Sequence, residues 1–199
     1  MTTFYFIRHG ETLFNVKDLV QGWADSPLTQ KGKQQAENLS KYIINYPIEH
    51  IYCSSTTRVY DTARLIFKNR EIIRTDALKE FHFGTKEGDP NSTIFDGIGI
   101  FDDFVDGLKV GWRDFGGENN DDVMGRLLPL MDGLSQKFPQ GHIAMVSHGC
   151  TIAALCDYIN PTQAKWYRTH HQDIENCSIT IIEKNNQQFI LKEYSLTFK

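Results

Sequence analysis

The feature that most constrains this chain is an alternation: apolar runs of strand length are separated by longer stretches whose apolar residues recur at three- and four-residue steps. Such a chain has to cover both faces of a sheet with helices, so it reads as a three-layer α/β/α fold with a mostly parallel sheet. Phe4–Ile7, Ile51–Cys53, Ile72–Arg74 and Ile143–Val146 are the predicted parallel strands. Ser178–Ile182 and Phe189–Tyr194, around Asn185 and Asn186, read as an antiparallel hairpin at the sheet edge. Between them, Ala36, Leu39, Ile43 and Tyr46 mark a helix capped by Thr29, and Val59, Ala63 and Ile66 mark one from about Thr57. Val123, Leu127, Leu130, Leu134 and Phe138 mark a long helix, with Asn119 or Asn120 as its cap and a kink expected at Pro129. Thr151–Tyr158 marks a fourth. At 199 residues the chain is long enough for one good core and short for two, so a single domain over 1–199 is expected.

The polar residues gain meaning from where they fall. Arg8 and His9 follow the first strand, Ser54, Ser55 and Arg58 the second, Glu80 the third, and Ser147, His148 and Gly149 the fourth. Ligands of open α/β sheets bind at the carboxyl ends of strands where strand order reverses, so the first and fourth strands are expected to be neighbours. That arrangement would set His9 against His148, with two guanidinium groups close by. Helix N-termini after Ser55 and Gly149 would add backbone N–H groups, making a pocket for a dianion such as phosphate.

Other classes are excluded or set aside. A formal net charge of -4 leaves no basic excess for a nucleic-acid partner. The short apolar run before Arg8 is neither a membrane span nor a signal peptide, so the chain is expected to be soluble and cytoplasmic, with no membrane partner. Cys53, Cys150, Cys156 and Cys177 show no paired spacing and are read as reduced. On that reading the Asn-x-Ser/Thr matches at Asn38, Asn91 and Asn176 carry no weight. Cys53 and Arg58 imitate the loop of cysteine phosphatases, but only four residues intervene and the thiol sits in a strand. His50, His82, His142, His170 and His171 are read as ordinary loop or core histidines; the adjacent pair lacks further ligands for a metal site.

Together, Arg8-His9-Gly10-Glu11-Thr12 with Asn15, Gln21-Gly22, Asp25, Pro27-Leu28-Thr29, Ser54-Ser55 with Arg58, Glu80, Phe83-Gly84, Glu87-Gly88, Gly116-Gly117-Glu118, Ser147-His148-Gly149 and Asn176-Cys177-Ser178 form an ordered series over nearly the whole chain. The series resembles the histidine phosphatase superfamily, in its phosphoglycerate mutase-like branch. It departs from the family at Asn119, where Ser is frequent, and at Lys86, where Trp is. The resemblance implies a phosphomonoester hydrolase working through a phosphohistidine on His9. It implies catalytic roles for Arg8, Arg58, His148 and Glu80, the last as proton donor and then base, and substrate contacts from Asn15, Gln21, Gly22 and Gly149. No metal and no other cofactor is expected; the partner is a small phosphorylated metabolite, and a homodimer is possible. The alternatives are a phosphoglycerate mutase-type transfer and a catalytically silent phospho-ligand-binding module.

Residues 88–116 are expected either to form a small cap insertion over the strand ends or to pack their apolar residues on the core as a short helix. Six aspartates there, Asp89, Asp96, Asp102, Asp103, Asp106 and Asp114, face only Lys109 and Arg113. Ile94, Phe95, Ile98, Ile100, Phe101, Phe104, Trp112 and Phe115 are too many apolar residues for a solvated loop. A cap both apolar and acidic would favour monophosphates of uncharged alcohols, with Trp112 named as a wall and Arg113 as the fallback grip for a second anion.

Overall fold

The computed structural model describes residues 1–100, 104–170, 173–185 and 188–198. Phe101, Asp102, Asp103, His171 and Asn186, used above, lie outside them. The sheet has six strands: β1 (Thr2–Arg8), β2 (His50–Ser54), β3 (Ile73–Thr75), β4 (His142–Ser147), β5 (Ile179–Lys184) and β6 (Phe189–Leu196). Their spatial order is β3-β2-β4-β1-β5-β6. The first four run parallel, and β5 and β6 add an antiparallel edge. The strand neighbours foreseen from the polar clusters are present: β1 pairs with β4 in a register that sets Arg8 opposite Ser147, one residue before the two histidines.

The helices are α1 (Leu13–Val16), α2 (Gln30–Ile43), α3 (Thr57–Phe67), α4 (Phe104–Val110), α5 (Asn120–Lys137), α6 (Gly149–Ile159) and α7 (Pro161–His170). Successive strand residues point to opposite faces, and the core divides accordingly. Tyr5, Ile7, Ile51, Cys53, Ala144 and Val146 pack with Ala36, Leu39 and Ile43 of α2 and Val59, Ala63 and Ile66 of α3. Phe4, Phe6, Tyr52, Ile143 and Met145 pack with Val123, Leu127 and Met131 of α5 and Ile152 and Leu155 of α6. These are the three layers expected from the sequence.

Local chemistry fixes the helix starts. The Thr29 side chain accepts from the Gly32 N–H, and Asn119 forms a reciprocal capping box with Asp122. α5 runs through Pro129 as one element. Tyr46 belongs to no helix: α2 ends at Ile43, and the ring instead meets Tyr5 edge-on with centroids 5.3 Å apart. None of the described helices is long and apolar enough to cross a membrane.

The stretch from Gly88 to Gly116 is tied to the body rather than laid loosely over it. Gly88 N–H donates to Val20 O at 3.0 Å, and Val20 N–H to Asp89 O at 2.8 Å. Ile94, Val105, Leu108 and Trp112 join the larger core cluster.

Candidate active site

A cavity of about 540 Å³ opens at the carboxyl ends of β1 and β4, and six of the nine site residues expected from the sequence line it: Arg8, His9, Asn15, Gln21, Glu80 and Gly149. His9 is buried, 4% exposed, and its Nδ1 lies 2.8 Å from the Gly10 carbonyl. That carbonyl can only accept, so Nδ1 carries the hydrogen and Nε2 keeps its lone pair. Burial first, then the positive charges of Arg58 and Arg8, hold the imidazole well below the usual histidine range, so it is neutral. The loop that carries it is fixed by a close approach: a Cβ on Gly10 would strike the Gly32 carbonyl at the start of α2. Arg8 anchors itself by donating from Nη1 to Ile174 O at 2.6 Å.

His148 stands behind His9, ring centroids 5.4 Å apart and planes at 69°. It is fully buried, and both ring nitrogens have protein partners. Nδ1 accepts from Arg58 Nη2 at 2.9 Å, because a guanidinium only donates; Nε2 then donates to Ser54 Oγ at 3.0 Å. Burial, with Arg58 and His9, holds His148 well below its usual range as well. The imidazole is therefore neutral, not the cation that would grip an anion by charge.

Arg58 has also been drawn into the protein. Its side chain is 0% exposed; Nη1 donates to Ala24 O and Asp25 Oδ1, both at 3.0 Å, and Nη2 to Gly22 O at 2.7 Å. Gly22 and His148 thus brace Arg58, and none of the three is among the residues that line the cavity. Gly22 is required there, since a Cβ would run into the Phe81 carbonyl and the Glu87 carboxylate. At this end of the sheet Arg8 Nε and Arg58 Nε are buried without a hydrogen-bond partner.

Glu80 is 4% exposed at the start of α6. Its Oε1 accepts from Thr151 N–H at 2.8 Å, Thr151 Oγ1 at 2.8 Å and Phe81 N–H at 3.1 Å, while Oε2 accepts from Cys150 N–H at 3.0 Å. Oε2 is the oxygen with lone-pair capacity to spare. The helix N-termini expected to hold a substrate anion therefore hold protein carboxylates: Glu80 takes the N–H groups of Cys150 and Thr151 in α6, and Asp25 takes those of Thr57 and Arg58 in α3. The physical reason is the same attraction that motivated the expectation, met by a side chain already in the chain.

Asn15 and Gln21 line the wall through a small network. Asn15 Oδ1 accepts from Thr12 N–H at 3.1 Å within the capping box of α1, which leaves its NH₂ out of that box. Gln21 accepts from Thr12 Oγ1 at 2.8 Å and donates to Ser26 Oγ at 2.9 Å.

Two supports had no role assigned to them from the sequence. Arg126 donates to the carbonyls of Ala77, Lys79 and Glu80, each at 2.9 Å, and clasps Glu118 through Nε and Nη2 at 3.1 Å. Glu118 in turn accepts from His82 N–H at 2.9 Å, so the pair clamps the turn on both sides of Glu80. An arginine beside the buried Met124 and Leu127 on α5 was the available signal. Glu87 accepts from the N–H groups of Trp23, Ala24 and Phe83, fixing the turn whose carbonyls hold Arg58.

Other expectations need correction. Trp112 is 0% exposed, packs against Phe81, Phe83 and Phe95 and donates to Ile94 O at 2.9 Å; it is a core anchor and not a cavity wall. Arg113 points out to a two-pronged pair with Asp122 at 2.6 and 2.9 Å and does not line the cavity. Cys53 is the buried strand residue expected, its thiol pushed up to about 12 by burial. Among the described residues no three His, Cys, Asp or Glu side chains converge as metal ligands would.

The comparisons with known proteins agree with this geometry. A family model of the histidine phosphatase superfamily, branch 1, matches residues 4–197. The chain belongs to this superfamily. Among relatives of the superfamily, it is 34% identical over 188 residues to a protein of Enterobacter sp. (strain 638) named probable phosphoglycerate mutase GpmB, spanning 92% of this chain and 85% of that one. Among solved structures, Bacillus stearothermophilus YhfR shares 28% identity with a TM-score of 0.81, over 99% of this chain and 98% of that one. A phosphoserine phosphatase from Entamoeba histolytica, solved with 3-phosphoglyceric acid, shares 26% identity with a TM-score of 0.83 over 99% and 98%. The protein is thus an enzyme of a superfamily whose members here carry both mutase and phosphatase names.

Proposed function

We propose that the protein hydrolyses phosphate monoesters in two steps through phosphorylated His9. The observation that carries this reading is the neutral imidazole of His9, its Nδ1 tied to Gly10 O and its Nε2 left as a nucleophile in the same cavity as Glu80. In the first step the Nε2 lone pair forms an N–P bond as the ester P–O bond breaks, and a proton on Glu80 Oε2 passes to the departing alkoxide. In the second, Glu80 takes a proton from water, the oxygen attacks phosphorus, the N–P bond breaks and phosphate leaves.

Arg8 lies in the cavity wall, and the unpartnered Nε atoms of Arg8 and Arg58 are buried donors that phosphoryl oxygens would satisfy. Asn15 NH₂ and the backbone at Gly149 are further donors, while Gln21, Gly22 and His148 act by holding them in place. Four free thiols, three of them buried, support work in a reducing cytoplasm on a small phosphorylated metabolite. The mutase alternative shares the first step and differs in the acceptor.

The deciding experiment mixes the enzyme with a ³²P-labelled aryl phosphate, quenches in alkali and follows label on protein, phosphate and added glycerate. We expect transient label on His9, absent in His9→Ala, and release as inorganic phosphate. Label on His148 would overturn the nucleophile; transfer to glycerate in preference to water would establish the mutase; no label and no release would leave a binding module.

A further inference from the structure

The phosphate-facing residues occupy one end of the cavity. Most of the remaining wall is apolar: Val20, Phe83, Ile94, Phe95, Phe104 and Val105 line it, with Asn91, Ser92, Arg168 and Asp173 as its polar members. The apolar side chains are held in place. Ile94 and Val105 are buried in the core, and Phe95 lies against Trp112 with centroids 5.6 Å apart and against Phe104 at 5.3 Å. Phe104 is 40% exposed, at the start of α4, so it stands at the mouth. A cavity of about 540 Å³ lies within the range that takes a whole organic ligand and exceeds what a phosphoryl group alone would fill.

Apart from Arg8, the wall's one cation among the described residues is Arg168, which donates to Asp157 at 3.4 Å and shares the wall with Asp173. A second phosphate or a carboxylate entering there would shed water against apolar carbon, with Asp173 set beside Arg168. An alkyl or aryl group would exchange water for aromatic contact.

We propose that this apolar end is the leaving-group subsite, and that the preferred substrates are monophosphates of aryl or extended alkyl alcohols carrying no second anionic group. The proposal rests on the hydrolase reading for its chemistry and on the cavity wall for its selectivity. Full burial of each added methylene is worth about a fourfold gain, which sets the scale of the expected slope.

The test uses two matched series, primary n-alkyl phosphates from methyl to hexyl assayed for kcat/KM, and the corresponding n-alkylphosphonates, which cannot be hydrolysed, assayed for Kd. Both run at constant ionic strength beside benzyl phosphate, 3-phosphoglycerate and a hexose bisphosphate. We expect each series to strengthen by about twofold to fourfold per methylene, benzyl phosphate to exceed 3-phosphoglycerate at least tenfold, and Phe104→Ala to flatten the slope while Phe104→Leu restores part of it. A flat phosphonate series, or 3-phosphoglycerate or the bisphosphate as best substrate, overturns the subsite. A rising phosphonate series with no turnover of any ester upholds the subsite and overturns the hydrolase reading, so the two failures are distinguishable. Near-native circular dichroism of both Phe104 variants certifies that slope changes come from the wall.

Discussion

Lowering the pH from 7.5 to 5.5 should cost this protein stability, on the order of 1 kcal/mol for each of His9 and His148. Both are held neutral in the fold, well below the ordinary histidine range, chiefly by burial and then by the charge of Arg58. The bonding pattern agrees: protonating His148 Nδ1 would set an N–H against the Arg58 N–H that it now accepts at 2.9 Å. In the unfolded chain each imidazole titrates near pH 6.5. Below that value the unfolded state takes up a proton that the folded state refuses, so the histidine contribution is complete above about 6.5 and is lost as pH falls toward the depressed folded values. Each group contributes on the order of 1 kcal/mol between pH 7.5 and 5.5, and the two act in the same direction. The lowered carboxyl groups of Glu11, Asp76 and Asp122 act in the same direction, but only below about pH 4.5, outside this window. Urea unfolding by circular dichroism at pH 7.5, 6.5 and 5.5 measures the loss, and the double variant His9→Asn/His148→Asn should remove most of it whatever its absolute stability. A double variant with the wild-type slope, or a wild type that gains stability at pH 5.5, would refute the assignment of neutral histidines. The same depressed pKa should place the acid limb of kcat/KM attributable to His9 below pH 6.5.

Three further outcomes follow from the clamps and the carboxylates. Arg126→Met removes donors from three or more carbonyls around Glu80 and leaves Glu118, its side chain only 17% exposed, without its partner; it should destabilise by about 2–4 kcal/mol and lower kcat more than it raises KM, with Arg126→Lys a poor rescue because it lacks the fork. Glu80→Gln should slow alkyl phosphates at least tenfold more than nitrophenyl phosphate, since a phenolate departs with little protonation; equal losses would remove Glu80 from the role of acid. Arg58→Ala should lose about 10² to 10³ in kcat and also unfold more readily, because Asp25 and the carbonyls of Gly22 and Ala24 lose their buried donor; unchanged turnover would deny Arg58 any hold on the transition state.

What the sequence displayed and what it hid divide along a physical line. The pairing of β1 with β4 and the meeting of His9 with His148 were legible because they follow from local signals, apolar runs of strand length ending in Arg-His-Gly and Ser-His-Gly, combined with one topological rule. Thr29 and Asn119 were legible as caps because a cap's partner lies three residues away. α7 was not, since Ala164 is its one buried residue and no apolar stripe marks it. Nor could eight apolar residues between Gly88 and Gly116 be sorted by pattern into core and cavity wall; Trp112 went to the first and Phe95 and Phe104 to the second, a choice made by tertiary packing. The same applies to the helix N-termini, whose N–H groups looked free until Asp25 and Glu80 arrived from distant segments. That last difference changes how the site would recognise phosphate. With the N–H groups of Thr57, Arg58, Cys150 and Thr151 already satisfied, the proposed chemistry would place more of the burden of anion binding on guanidinium groups, and Arg58 would bear its share because Asp25, Gly22, Ala24 and His148 hold its plane still while Nε is left without a partner.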